Sequence, residues 1–271
     1  MSRAVVLIAL ALAGCANAQP VRTGGIVSTN PCADQLLIAL APRGRIAAIS
    51  HYSQEAGATS IPLDLSRSFA ATAGTAEEVI ALKPDLVLAS SFTPAPTLAA
   101  YKRLGLNVLL LDSPTTIAAS RDQVRSVAAA IGDRQAGERL VARIDAAVAD
   151  AAPRDAARPS ALLYIADNFA NGGPSLLTEM LATAGFGPPD PAFRMDFSTS
   201  IPIERLAAHP PRVLLVPNPQ TRIATLRRRV LGRISARVTE ARFAPTLMNC
   251  GGPTIIEAMQ RLAAIRGTLP S

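Results

Sequence analysis

Tryptophan is absent from this chain of 271 residues, and histidine and lysine occur only twice each. The two histidines, His51 and His209, are too few for a three-histidine zinc site, whether hydrolytic or of the zinc-carrying kind. There is no Gly-x-Ser-x-Gly elbow and no P-loop. Gly185-Phe186-Gly187-Pro188-Pro189 lacks the third glycine of a dinucleotide fingerprint and does not follow a strand. These absences remove the commonest hydrolase, NTPase and dehydrogenase readings. One enzymatic arrangement stays open, a Cys32 nucleophile at a helix start activated by His51. Disorder is excluded by a composition of 49% hydrophobic and 17% charged residues, which is that of a packed protein.

The net charge of +7 comes almost wholly from arginines spread along the chain. They have no aromatic interleaving and no known nucleic-acid motif, so no nucleic-acid partner is expected. Arg227-Arg228-Arg229 falls in an amphipathic helical pattern and reads as a solvated face, with a phosphate site as the alternative. Long apolar runs are also lacking beyond the first residues. Ala4 to Ala13 form a small, apolar run after Arg3, as in an export signal. Two cuts are legible there. Ala16-Asn17-Ala18 suits ordinary signal peptidase and would remove residues 1–18. Leu12-Ala13-Gly14-Cys15 resembles a lipobox that would remove 1–14 and leave Cys15 lipidated. Beyond Cys15 the chain keeps two cysteines, Cys32 and Cys250, in a compartment that permits disulfides. A disulfide, a thiolate pair facing a metal-bearing ligand, and two free thiols all remain open.

What is present is a strand and helix alternation. Ile26 to Ser28 read as a strand handing over to a helix that Asn30 caps and Pro31 begins. Arg45 to Ile49 read as a second strand with His51-Tyr52-Ser53 at its end. Thr75-Ala76-Glu77-Glu78 reads as a capping box, Lys83-Pro84 as a stop and Leu86 to Ala89 as a buried strand. Pro96 to Leu104 form a helix closed by Gly105, followed by the strand Val108 to Leu111. The alternation predicts parallel sheets. Gly132-Asp133 separates two helical patterns, the second running from Arg134 to Ala152 and long enough to cross a small lobe. A Pro- and Arg-rich stretch up to Pro159 precedes the strand Leu162 to Ile165. Glu78 to Leu88 also align without a gap on Glu204 to Leu214, each a short helix stopped by proline and feeding an apolar strand. The expected organisation is an N-terminal lobe over 24–131, a connecting helix over 132–153 and a C-terminal lobe over 159–271.

The opening corner, the Lys83-Pro84-Asp85 triplet, the long helix, the Leu-rich segment 176–187 and Cys250-Gly251-Gly252-Pro253 resemble, in this order, the periplasmic substrate-binding proteins of ABC importers. The resemblance is to the vitamin B12 and ferric-siderophore group. It implies two Rossmann-like α/β lobes joined by one long backbone helix and a monomer without catalytic activity. It also implies capture of a small, metal-bearing compound between the lobes and delivery to an inner-membrane permease with a cytoplasmic ATPase. Neither a resident cofactor nor a metal site of the protein's own is expected. The cleft implied by the resemblance is lined by Asn30, Pro31, Cys32, His51, Tyr52, Ser91, Phe92, Asn168, Phe169, Asn171, Asn218, Met248, Asn249 and Cys250. The family's docking acids are missing from Phe92 to Ala100 and Asn218 to Thr225, and Glu78 and Glu204 stand in for them. A sensory or scaffold lipoprotein of the same fold is the alternative.

Overall fold

The computed structural model describes residues 24–193, 195–218, 220–234 and 238–269. The expected signal and Cys15 lie outside the described residues. The first half runs β1 (Ile26–Ser28), α1 (Pro31–Leu40), β2 (Ile46–Ser50), α2 (Leu63–Arg67), β3 (Ala71–Thr72), α3 (Ala76–Ala81), β4 (Leu86–Ser90), α4 (Ala95–Arg103) and β5 (Val108–Leu111). Helices α5 (Ile117–Ile131) and α6 (Arg134–Ala151) follow. The second half runs β6 (Ala161–Ala166), β7 (Phe169–Ala170), α7 (Leu176–Thr183), β8 (Thr199–Ser200), α8 (Ile203–Ala208), β9 (Val213–Val216), α9 (Arg222–Ile234), β10 (Thr239–Arg242) and α10 (Thr254–Gly267).

Two five-stranded sheets result, in the orders β3-β2-β1-β4-β5 and β10-β9-β6-β7-β8. The first is parallel throughout. In the second, β10, β9 and β6 are parallel, whereas β7 and β8 pair antiparallel at one edge. That edge departs from a fully parallel reading because β6 returns through a tight turn at Asp167-Asn168 instead of crossing over through a helix. The internal repeat falls on α3 with β4 and on α8 with β9, the strand beside the first strand of each sheet.

Local chemistry explains the element ends. Asn30 caps α1 by accepting from the N–H groups of Cys32 and Ala33, and Pro31 occupies the first helical position. Gly132 takes φ 82° to end α5, and Asp133 at once caps α6. At α3 only half of the capping box forms. Thr75 accepts from Glu78 N–H, while the Glu78 carboxylate turns to the Thr72 hydroxyl (2.7 Å) and Ala73 N–H (2.6 Å).

Helix α6 turns Gly137, Leu140, Val141, Ile144, Ala147 and Ala151 inward, the spacing of one helical face. Gly137 is required there, since a Cβ would lie 2.5 Å from Ala128 Cβ on α5. One continuous core joins α1, α5, α6, α7 and α10 to the facing sides of both sheets. The outer side of each sheet has a smaller cluster of its own, Val27, Val87 and Tyr101 on the first and Leu162, Tyr164 and Phe193 on the second. The lobes therefore share a packed helical layer between the two sheets. Among the described residues no helix is long and apolar enough to cross a membrane.

Candidate functional site

In the first sheet the chain passes from β1 to β2 on one side and places β4 on the other. The carboxyl ends of β1 and β4 thus flank a switch of direction, where open α/β sheets present ligand sites. A cavity of about 250 Å³ lies at that point. Asn30, Cys32 and Ala33 line it from the first corner, Ser90 and Phe92 from the end of β4, and Leu111 to Thr115 from the end of β5. Gln123 on α5 joins them. The opposite wall comes from the second half of the chain, Ser175 to Leu177 at the start of α7 and Met248 to Gly251 before α10. The cavity is thus a cleft between lobes. Phe92, 79% exposed, offers a free aromatic face at its rim.

A disulfide between Cys32 and Cys250, 218 residues apart, crosses the cleft floor. Of the three alternatives left open by the sequence, this structure holds the disulfide. In this form Cys32 carries no thiolate, so neither a thiolate pair nor a His51-activated nucleophile is assembled. Other ties cross the same seam. Ser120 Oγ accepts from Gly252 N–H at 2.7 Å, and Glu179 on α7 accepts from Ile117 N–H at the start of α5, also at 2.7 Å. Gln35 Oε1 accepts from Ser60 Oγ and from Thr254 Oγ1. Gly252 has φ +61°, and a Cβ there would lie 2.6 Å from Leu36 Cδ2. Beneath the corner, Asp34 is buried and its pKa is raised to about 7. Burial is the main cause, and bonds from serines, including Ser53 Oγ and Ser50 N–H, oppose it.

The expected site residues separate into groups. Asn30, Cys32, Phe92, Met248, Asn249 and Cys250 come together around the cleft cavity, with Pro31 and Ser91 beside them in the chain. His51 and Tyr52 do not line it. They stack on each other at 4.0 Å in a turn after β2, and His51 Nδ1 meets Thr72 O at 3.2 Å. Asn168 sits in the β6–β7 turn and Phe169 begins β7. Asn171 lines a separate cavity of about 580 Å³ within the second lobe and bonds Ser175 and Thr178. Asn218 lines a third recess. Glu78 and Glu204 are exposed near the starts of α3 and α8, and the Glu78 carboxylate holds its own loop. Arg227 corrects the reading of a solvated arginine run: its side chain is 5% exposed and pairs with Glu240 at 3.3 Å. Among the described residues no three His, Cys, Asp or Glu side chains cluster as a metal site.

Missed were Asp112 to Thr115, Gln123 and Ser175 to Leu177. The loop after β5 was legible, because it follows a parallel strand at the same end as Phe92. Gln123 and the α7 residues reach the cleft only through helix packing, which leaves no local signal.

Two sheets of related build and a cleft at their shared end give the chain the architecture of a two-lobed binding protein. The family model described as "Periplasmic binding protein" matches residues 26–234, and the chain belongs to that family, whose members similar to it include proteins named as cobalamin-binding and heme-binding. It is 25% identical over 168 residues to a cobalamin-binding protein of Halobacterium salinarum. That match covers 59% of this chain and 44% of the relative, less than half of the relative's length. The fold matches the periplasmic heme-binding protein RhuT from Roseiflexus sp. RS-1 with a TM-score of 0.67 at 20% identity, covering 89% of this chain and 98% of that one. It also matches the heme-binding protein HutB of Vibrio cholerae with a TM-score of 0.68 at 17% identity, covering 90% and 98%.

Proposed function

We propose that this chain is the exported solute-binding component of an ABC importer. It captures a metal-bearing compound of the corrinoid, ferric-siderophore or haem class and delivers it to an inner-membrane permease. The observation that carries the reading is the cavity walled by both lobes at the carboxyl end of the first sheet, with Phe92 exposed at its rim. The names of the relatives support the corrinoid and haem members of that class. At about 250 Å³ the cavity is smaller than an ordinary drug-sized pocket, so a macrocycle sits across the mouth and places only one edge inside. The disulfide and the buried hydrogen bonds across the seam hold both walls in place before the ligand arrives, which lowers the cost of binding. Glu78 and Glu204, on equivalent helices of the two lobes, are the proposed permease contacts.

The test is thermal unfolding of the chain from Gln19 onward against cobalamin, cobinamide, ferric siderophores and haem b. A ligand at a hundredfold over its Kd adds about 2.7 kcal/mol, a rise of several degrees in midpoint. A shift with one compound supports the reading. No shift with any of them rules out this cargo class.

A further inference from the structure

Within the second lobe, one edge of β6 is left bare for part of its length. At its start Ser160 bridges to Gly187, and Ala161 N–H donates to Gly187 O at 3.1 Å. Pairing with β7 begins only at Tyr164, flanked by Asn171 N–H donating to Leu163 O at 2.7 Å. Between these points no strand lies beside β6 on that side among the described residues, and the edge faces the cavity of about 580 Å³ that Asn171 lines. We propose that this cavity is a second ligand site, separate from the cleft between the lobes, and takes a small, uncharged, largely apolar molecule. The site does not depend on the transport reading.

Three observations point the same way. First, the volume falls within the range of small-molecule sites, about 300–1,000 Å³, which the cleft cavity at about 250 Å³ does not reach. Second, the walls are apolar. Leu162 and Leu163 point to opposite faces of β6, yet both line the cavity, because it wraps the bare edge. Leu181 and Phe186 come from the core shared by the lobes, Phe193 and Met195 from the outer cluster. The Thr178 hydroxyl is already engaged, accepting from the Asn171 amide at 3.0 Å and donating to Gly173 O at 2.9 Å. Among the described lining residues the only charged side chains are Asp190 and Asp196, so an anion would lose its water and meet no countercharge.

Third, the roof is held off the sheet instead of collapsing onto it. Pro188, Pro189 and Pro191 fix the backbone of its first half. One end is tied by Gly187 N–H to Pro159 O at 3.0 Å, and a Cβ on Gly187 would lie 2.8 Å from Arg158 O. The other is tied by Gly173 N–H to Met195 O at 2.9 Å, beside Gly172, where a Cβ would lie 2.5 Å from Phe197 O. Midway, His209 Nδ1 lies 3.6 Å from Asp190 Oδ1, and the Arg205 guanidinium stands 5.6 Å from the Phe193 ring centroid, which anchors the roof to α8. A cavity kept open in this way needs no rearrangement to admit a ligand. Helix α7 divides it from the cleft, with Ser175 to Leu177 facing the cleft and Thr178, Leu181 and Ala182 facing the cavity.

The test is fluorescence titration with 1-N-phenylnaphthylamine, an uncharged apolar dye that brightens on leaving water. Wild type is compared with Ala182→Trp, which fills the cavity from an exposed helical position, with Ala182→Ser, which leaves it open, and with Ser113→Trp, which obstructs the cleft instead. The expected result is saturable one-to-one binding to wild type, Ala182→Ser and Ser113→Trp, weakened at least tenfold in Ala182→Trp. The sulfonated dye 8-anilinonaphthalene-1-sulfonate should bind wild type at least tenfold more weakly, a comparison that needs no substitution. No saturable binding to wild type, or binding that Ala182→Trp leaves unchanged, overturns the site. Binding lost in Ser113→Trp and kept in Ala182→Trp places the dye in the cleft and overturns it equally. Equal affinity for the sulfonate overturns the assignment to uncharged ligands. Dye binding as expected, with no haem, corrinoid or siderophore bound, refutes the transport reading alone, and the converse refutes the cavity alone.

Discussion

Replacing Cys32 and Cys250 together by alanine removes a crosslink between residues 218 apart in sequence. Closing so long a loop in the unfolded chain corresponds to about 5 kcal/mol at 25 °C in the chain-entropy description, and measured losses for native disulfides run from about 2 to 5 kcal/mol. The upper half of that range is expected here, because the bridge lies in a seam already held by Ser120 with Gly252 and by Gln35 with Thr254, so the native geometry survives its loss. At roughly 2–4 °C per kcal/mol for a chain of this size, the midpoint falls by about 7–20 °C. Urea unfolding at neutral pH, followed by circular dichroism because there is no tryptophan, gives the free energy directly. The m value should rise, since the uncrosslinked chain exposes more surface when unfolded. Wild type under strong reductant should match the double variant. A loss below about 1 kcal/mol with an unchanged m value would refute the reasoning.

Asp34 makes stability depend on pH. Its folded pKa of about 7 lies above the ordinary value of 3.8, so between these values the folded chain keeps a proton that the unfolded chain releases. The contribution is fully present below about pH 4 and is lost as pH rises through 7. From pH 5 to 8 the unfolding free energy should fall by about 2–3 kcal/mol on this account, and Asp34→Asn should flatten the slope; an unchanged slope in the variant contradicts the assignment. Gly252→Ala places a methyl 2.6 Å from Leu36 Cδ2 at a positive φ and should cost about 1–3 kcal/mol, measured by urea unfolding. Arg227→Met strands the Glu240 carboxylate in the second lobe and should cost about 3–5 kcal/mol, whereas Arg227→Met with Glu240→Leu should recover most of that loss. Equal losses in the single and double variants would show that the pair does not stabilise as a unit.

Much of the scaffold was legible because it depends on local rules. The Asn30 cap, the Gly132 stop, the Asp133 start and the apolar stripe of α6 are each written within a few residues. The β7 and β8 edge was not, because two-residue strands have no periodicity to read. Arg227 shows the same limit in reverse. Within an arginine run it reads as solvated, yet α9 buries Ala224, Arg227 and Leu231 at helical spacing and leaves Leu226 61% exposed. Only the partner strand carrying Glu240 decides that orientation. In the cleft, residues at strand ends were found by their place in the alternation. His51 and Tyr52 were drawn in by the same rule, although their turn folds back on β3.

Titration calorimetry of haem b, cobalamin, cobinamide and ferric siderophores into wild type and Ser113→Trp tests the central claim most directly. Ser113 is exposed and lines the cleft cavity, so tryptophan there blocks the opening without disturbing the core. The expected result is one-to-one binding of at least one compound to wild type, weakened at least tenfold by Ser113→Trp, with the unfolding free energy of the unliganded variant within about 0.5 kcal/mol of wild type. Binding that Ser113→Trp leaves unchanged, or no binding of any compound in the set, would contradict capture in the cleft between the lobes.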